Sequence, residues 1–327
     1  MKYFLILICL SLAYNSSAQG YFTAYFDSNG KKTSKDSSYY YEQGFKIEGR
    51  YIGEIKSFYS KNNSLKGKSF YNENGLHGIR QTFYENGNLR SEDNYVNGKR
   101  QGKYTSWYNS GVTKQIREYP ILEGEFDNTK ELSYLIIDHW DSLGNQTIEN
   151  GNGYLNQSKA NKIENNYFDY ISEEHYQQIE GEVKNGKRHG EWTGIGHANN
   201  KFNELYLDGI LQSGRSILPN GKEVSYQKTH KSAEPIKGFQ KFYRYVGKNM
   251  RYPGDARKHG IEGRVFVQFM IEKDGSITGV KVLKGIYPSC DEEARKVVEN
   301  SPNWKSGFQR GIPVRIRMIL PITFKLS

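Results

Sequence analysis

The chain has 327 residues, a formal net charge of +10, 26 tyrosines and 16 phenylalanines. This length allows two or three domains of about 100–200 residues each, and so many aromatic rings argue against intrinsic disorder. Lys and Arg residues are scattered among Asp and Glu residues, which argues against a nucleic-acid-binding protein because that function needs a basic patch on one face.

The first 18 residues have the pattern of a cleaved signal peptide. Lys2 supplies a positive charge, the run from Phe4 to Ala13 is apolar, and residues 16–18 (Ser-Ser-Ala) are the small residues that signal peptidase requires before its cut. As a helix, the apolar run would cover about 18 Å, which is short of the roughly 30 Å hydrocarbon core of a bilayer. We therefore expect export, and no transmembrane helix.

From Tyr21 to Tyr226 the sequence repeats a short theme of an aromatic residue, polar residues, glycine and a strand-like stretch. Tyr59, Tyr84 and Tyr108 are spaced by about 25 residues, a period typical of repeat arrays. Asn-Gly pairs accept positive φ at both central positions of a tight type I′ turn. We therefore predict a mainly β array of antiparallel hairpins in which neighbouring units cover one another.

These units resemble MORN repeats of the YwqK type, and the best single match is Glu180–Trp192. Weaker copies occur at residues 25–31, 70–78, 140–145 and 206–214. The resemblance implies an elongated antiparallel sheet that serves as a scaffold or contact surface. On the plainer interpretation, the aromatic residues and glycines only build the sheet. Residues 120–137 and 156–166 depart from the pattern, so we expect an irregular array there.

A polar stretch at residues 228–238 has neither an aromatic residue nor a strand pattern and is predicted to be a linker. It would separate a repeat domain at residues 19–227 from an α+β domain at residues 239–327. The second domain opens with apolar residues at helical spacing, which are Phe239, Phe242, Tyr243, Val246 and Met250. This helix must end before Pro253.

A hairpin, a second helix and a strand complete the predicted domain. Apolar residues alternate from Val265 to Ile271, Asp274-Gly275 is a turn dipeptide, and Gly279 marks a bulge in the returning strand. In the second helix, Ser289 is predicted as the N-cap, with Glu292 as its capping-box partner. A last strand is predicted where apolar residues alternate again, over residues 314–324.

This order of elements, with a series of motifs in the same order, resembles the C-terminal domain of TonB, a partner-binding module of Gram-negative cell envelopes. The motifs are Tyr252-Pro253, residues 260–269 (GIEGRVFVQF), 274–277 (DGSI), 280–283 (VKVL), 290–294 (CDEEA), 304–307 (WKSG), 313–314 (PV) and 320–324 (LPITF). The resemblance implies a periplasmic or outer-envelope location and a link to TonB-dependent transmembrane transport. It also implies that the last strand lies at a sheet edge and accepts an extended peptide from an outer-membrane receptor, by β-augmentation.

Carried over to this sequence, the partner-binding residues are Val314, Arg315, Ile316, Arg317, Met318, Ile319 and Leu320. The arginines among them either contact the partner or protect an exposed edge from aggregation. TonB itself has a membrane anchor and a proline-rich spacer, neither of which is expected here, so the resemblance favours partner binding over energy transduction. The alternative function is a structural scaffold that self-associates as a homodimer.

Catalytic and metal-binding patterns are not found in the sequence. The seven histidines are not paired with Cys, Asp or Glu at metal-ligand spacing, and no nucleophile elbow, P-loop or dinucleotide fingerprint occurs. Cys290 shares a helical face with Ala294 and Val297, which predicts a core residue rather than a nucleophile. We therefore expect no enzyme activity, cofactor, metal or nucleic acid, and a protein as the partner.

Overall fold

The computed structural model describes residues 20–121, 134–158 and 176–326. They belong to two compact units: the first holds the described residues up to 155 and residues 182–187, and the second holds residues 156–158, 176–181 and 188–326. The predicted signal peptide lies outside the described residues, as do large parts of both predicted irregular stretches. None of the described helices is long and apolar enough to cross a bilayer.

The first unit is built from antiparallel strands, with a short 3-10 helix at Lys35–Ser37. Its strands are β1 (Gly20–Phe26), β2 (Tyr40–Ile47), β3 (Arg50–Tyr59), β4 (Leu65–Asn72), β5 (Gly75–Leu76), β6 (Gly78–Phe83), β7 (Leu89–Val96), β8 (Lys99–Arg100), β9 (Gly102–Trp107), β10 (Thr113–Tyr119), β11 (Leu135–Trp140) and β12 (Gln146–Glu149). Strands β13 (Asn152–Ser158) and β14 (Tyr176–Lys184) contain residues of both units. Successive strands pair as hairpins, which confirms the predicted β array.

Tyrosine hydroxyl groups connect successive copies of the repeat. Three tyrosines at the predicted spacing each donate a hydrogen bond of 2.9 Å to a backbone carbonyl of the next copy: Tyr59 to Phe83, Tyr84 to Trp107 and Tyr108 to Trp140. A buried or half-buried phenol needs such a partner. This contact explains why these positions carry tyrosine rather than phenylalanine.

The array uses two kinds of turn. Asn97 and Gly98 have φ values of 50° and 81°, as predicted for a type I′ turn. At Asn86-Gly87 the prediction does not hold, because only Gly87 has positive φ, at 88°. There the chain makes a longer loop, which the side chain of Asn86 holds by accepting a 3.0 Å hydrogen bond from the backbone N–H of Asn88.

The second unit begins with four antiparallel strands that end the repeat region. They are β15 (Lys187–Gly196), β16 (Lys201–Leu207), β17 (Ile210–Ile217) and β18 (Glu223–Tyr226), with a short 3-10 helix at His197–Asn199. Trp192 and Phe202 are their largest fully buried side chains. The tight turn between β16 and β17 is formed by Asp208 and Gly209, both of which have positive φ.

The rest of the second unit holds three helices and three small sheets. In chain order the elements are β19 (His230–Lys231), β20 (Glu234–Pro235), α1 (Gly238–Asn249), α2 (Gly254–Lys258), β21 (Gly263–Ile271), β22 (Ile277–Lys284), α3 (Pro288–Glu299), β23 (Trp304–Lys305), β24 (Gly307–Gln309), β25 (Ile312–Val314) and β26 (Ile316–Phe324). The sheets are ordered β22-β21-β26, β19-β24-β25 and β20-β23. The predicted bulge at Gly279 is confirmed by a register shift between β21 and β22.

The core of this C-terminal part packs the alternating residues of β21 against helices α1 and α3. The buried side chains include Val265, Val267, Phe269 and Ile271 from β21, Phe242 and Val246 from α1, and Cys290, Ala294 and Val298 from α3. Cys290 is fully buried, as predicted. Burial raises the pKa of its thiol, and the neighbouring carboxylates of Asp291 and Asp255 raise it further, so the thiolate is disfavoured.

Two local predictions for the C-terminal part differ from the structure. The stretch predicted as a linker without strands contains β19 and β20, which pair with β24 and β23. Helix α3 begins at Pro288, because proline is pre-set for the first helical position. Ser289 is therefore not the N-cap, and its hydroxyl donates instead to Asp255, at 2.9 Å.

Candidate partner-binding edge

Strand β26 forms one edge of the sheet β22-β21-β26. It pairs antiparallel with β21 from Ile316 to Phe324 without a shift in register. Within the described part of the chain, no other strand pairs with the opposite side of β26. Alternate residues of β26 therefore direct their backbone N–H and C=O groups towards this open side.

Pro321 determines which residues of β26 face the open side. Proline has no N–H to donate, so within a strand it is tolerated where its nitrogen faces away from the paired neighbour. Successive residues alternate, so the backbone groups of Arg317 and Ile319 also face the open side, and those of Met318 and Leu320 face β21. Because Pro321 offers only its carbonyl there, the series of outward N–H donors is interrupted after Ile319.

The side chains of β26 alternate as predicted between the core and the outer face of the sheet. Ile316 and Met318 pack against the C-terminal core, and Leu320 is buried. On the outer face, Ile319 is 46% exposed. An added strand would therefore find an apolar contact at Ile319 beside the outward backbone groups.

The first two predicted binding residues precede β26. Val314 lies in β25 and pairs with Gly307. Arg315 lies between the two strands, and its Nε is 2.8 Å from Oε1 of Glu272. Because both of these side chains are partly exposed, the ion pair contributes no more than about 1 kcal/mol to stability. The structure thus places five of the seven predicted residues, 316–320, on the edge strand.

A metal site was also sought among the described residues. No group of three or more His, Cys, Asp and Glu residues comes together within these ranges in a way that could hold a metal ion. Sequence reasoning missed the orientation of the open side, although Pro321 in the last strand carried that information. It also missed Arg310, whose Nε is 2.8 Å from Oε1 of Glu204.

Comparison with known proteins finds a family model that matches the C-terminal part. Residues 248–326 match the family model described as Gram-negative bacterial TonB protein C-terminal. Two NMR structures of Helicobacter pylori TonB-CTD are similar. One is 27% identical, with a TM-score of 0.22, and covers 27% of this chain and 79% of that one. The other is 26% identical, with a TM-score of 0.22, and covers 26% and 90%.

No curated protein matches this chain. The family model spans the elements from the end of α1 to the end of β26, and these elements include the open edge. The match therefore supports the presence of a TonB C-terminal domain at residues 248–326, as the ordered motifs predicted.

Proposed function

We propose that this is an envelope protein, periplasmic or associated with the outer envelope, that binds an extended segment of a partner protein along the open side of β26. The partner would be an outer-membrane protein of TonB-type transport. The observation that carries the proposal is the side of β26 that pairs with no other described strand, where the backbone of Ile319 is directed outward and its side chain is 46% exposed. The family match at residues 248–326 supports it.

The geometry also sets the strength of such binding. Ile319 offers two outward backbone groups, and each hydrogen bond contributes about 1 kcal/mol net. Backbone pairing at this residue alone would then give a dissociation constant more than tenfold weaker than about 1 mM. A partner segment must therefore add side-chain contacts, and the exposed apolar surface of Ile319 favours an apolar residue in that segment.

Proline substitution tests the proposal on the full chain. Ile319→Pro removes an outward N–H, and Ile319→Ala is the matched control because it keeps that N–H while shortening the side chain. We expect the Pro variant to stay folded by circular dichroism and to lose retention of outer-membrane proteins in a pull-down. The Ala variant should keep part of it. Undiminished retention by the folded Pro variant would refute strand addition at β26.

The same open side could pair with a second copy of the chain, which is the alternative scaffold function. Sizing of the protein over a range of concentrations separates the two functions. A dimer that Ile319→Pro converts to a monomer, without any retained envelope protein, would favour self-association. A monomer at all concentrations that still retains a partner would favour the first function.

A further inference from the structure

Inside the repeat array, one arginine neutralises a buried acid and connects three strands. Asp93 and Tyr95 lie two residues apart on β7, and Arg100 is the register partner of Tyr95. The Nη2 of Arg100 is 3.0 Å from Oδ2 of Asp93. Its Nε donates to the hydroxyl of Tyr95 at 3.1 Å, and its Nη1 donates to that of Tyr119 at 3.0 Å. Asp93 is only 3% exposed, so it needs this cation.

The last strands of the array repeat the acid and the tyrosine but not the arginine. Glu204 and Tyr206 lie two residues apart on β16, and Glu204 is 3% exposed. The register partner of Tyr206 is Leu211. Leu211 thus takes the position that Arg100 holds beside Tyr95, and β17 brings no cation to the buried carboxylate there.

Each of the two sites also has an arginine on the strand that precedes the buried acid. These arginines therefore do not account for the difference between the two sites. Nη1 of Arg80 donates to the hydroxyl of Tyr95 at 3.4 Å. Likewise, Nη1 of Arg188 donates to the hydroxyl of Tyr206 at 3.2 Å, and it lies 3.8 Å from Oε2 of Glu204. The position that distinguishes the two sites is therefore that of Leu211.

The missing cation comes from the C-terminal domain. Arg310 lies in the turn between β24 and β25, and its Nε is 2.8 Å from Oε1 of Glu204, with side chains that are 6% and 0% exposed. Its guanidinium lies 3.8 Å from the ring centroid of Phe202. The hydroxyl of Tyr226 donates to the same carboxylate at 2.7 Å. Arg310 and Tyr226 thus both contact Glu204, and at the interior site Arg100 contacts both Asp93 and Tyr119.

Backbone contacts hold the turn in this position. The hydroxyl of Ser216 donates to the carbonyl of Arg310 at 2.7 Å. Gly311 has φ of 74°, and a Cβ at this residue would lie 2.9 Å from Cγ1 of Val224. Only glycine allows the turn to approach β18 so closely. An Arg-Gly pair is thus what this contact requires.

We propose that the C-terminal domain caps the repeat array, with the Arg310-Gly311 turn supplying the cation that Leu211 does not. A repeat array needs a terminal element that covers its last unit, and without Arg310 a buried carboxylate would lose its closest cation. The proposal goes beyond partner binding. It makes the hairpin that precedes β26 a part of the array end.

Hydrogen exchange of the full chain, followed by mass spectrometry, tests the cap. Arg310→Gln removes the buried cation. Arg215→Gln is the matched control because the Arg215–Glu223 pair, at 3.2 Å, is about half exposed on β17 and β18. We expect exchange at residues 201–226 to accelerate about 100-fold or more in Arg310→Gln and by less than about fivefold in the control. Equal exchange in the two variants would overturn the proposal.

A rescue variant tests the register argument itself. Adding Leu211→Arg to Arg310→Gln places a cation where Arg100 stands in the interior site, and we expect it to restore most of the protection at residues 201–226. No restoration would overturn the assignment of that position. If Arg310→Gln fails to fold alone, we expect the added Leu211→Arg to restore a folded protein, and failure of this double variant to fold would likewise refute the cap.

Discussion

Gly275 gives the sharpest test of how the C-terminal domain is held together. It has φ of 84°, and its carbonyl accepts a 2.9 Å hydrogen bond from the backbone N–H of Trp304. A Cβ on Gly275 would lie 1.9 Å from the carbonyl oxygen of Trp304. Gly275→Ala therefore combines backbone strain with a collision between two backbone segments, which no side-chain rotation can relieve.

Two other glycines separate these contributions. Gly260 has positive φ but open space around its Cβ position, and Gly254 has open space and no positive φ. We expect Gly260→Ala to cost about 1 kcal/mol from strain alone, and Gly254→Ala to be neutral or to stabilise α2 by up to about 1 kcal/mol. Gly275→Ala adds to this strain the displacement of the Trp304 backbone and the loss of its hydrogen bond to Gly275. The total loss of stability should be about 3 kcal/mol.

Urea unfolding measures all three variants by tryptophan fluorescence, to which Trp304 contributes from the C-terminal core, where it is only 2% exposed. The expected order of stability is Gly254→Ala, then Gly260→Ala, then Gly275→Ala. A Gly275→Ala variant as stable as Gly260→Ala would show that the approach of the hairpin to Trp304 does not contribute to folding. The reasoning about this turn would then be wrong.

Three further predictions concern single groups. Tyr84→Phe removes the hydroxyl that links two copies of the repeat and should cost about 1 kcal/mol in a thermal or urea unfolding experiment, whereas Tyr154→Phe, at a site 52% exposed, should cost nothing measurable. Cys290 should react with a thiol reagent only on unfolding, because the pKa of its buried thiol is raised; fast labelling of the folded protein would contradict this. Burial, with Lys114 and Arg117 nearby, lowers the pKa of His139 to about 4. Its contribution to stability should thus be complete above pH about 6.5 and lost as the pH falls towards 4, a decline that His139→Gln should remove from urea midpoints.

The sequence predicted those elements that local patterns encode. The alternation in β21 and the Asp274-Gly275 turn predicted the hairpin, and helical spacing predicted α1, because each of these patterns spans only one or two elements. The start of α3 was misplaced by the choice of Ser289 as cap. Pro288 and the carboxylate of Asp291, which accepts a 2.9 Å hydrogen bond from the backbone N–H of Ile286, organise that helix start instead.

The strands β19 and β20 could not be predicted because their partners are far away in the sequence. His230 and Lys231 pair with residues 308–309, and Pro235 pairs with Trp304. Two-residue strands carry no periodicity of their own, so a polar stretch is indistinguishable from a linker until its partners are known. Arg310 was missed for the same reason, since an Arg-Gly turn shows nothing of the carboxylate that it will meet.

The cap and the partner-binding edge lie close together in sequence but depend on different pairings. Arg310 is positioned by the hairpin β24–β25 and by the last strands of the array, whereas the open side of β26 is defined by pairing with β21. Ile319→Pro should therefore leave hydrogen exchange at residues 201–226 unchanged. Arg310→Gln should leave β26 paired with β21 and able to accept a strand. If either variant abolished both properties, the hairpin and the edge strand would form a single cooperative element, and the two proposals could not be separated.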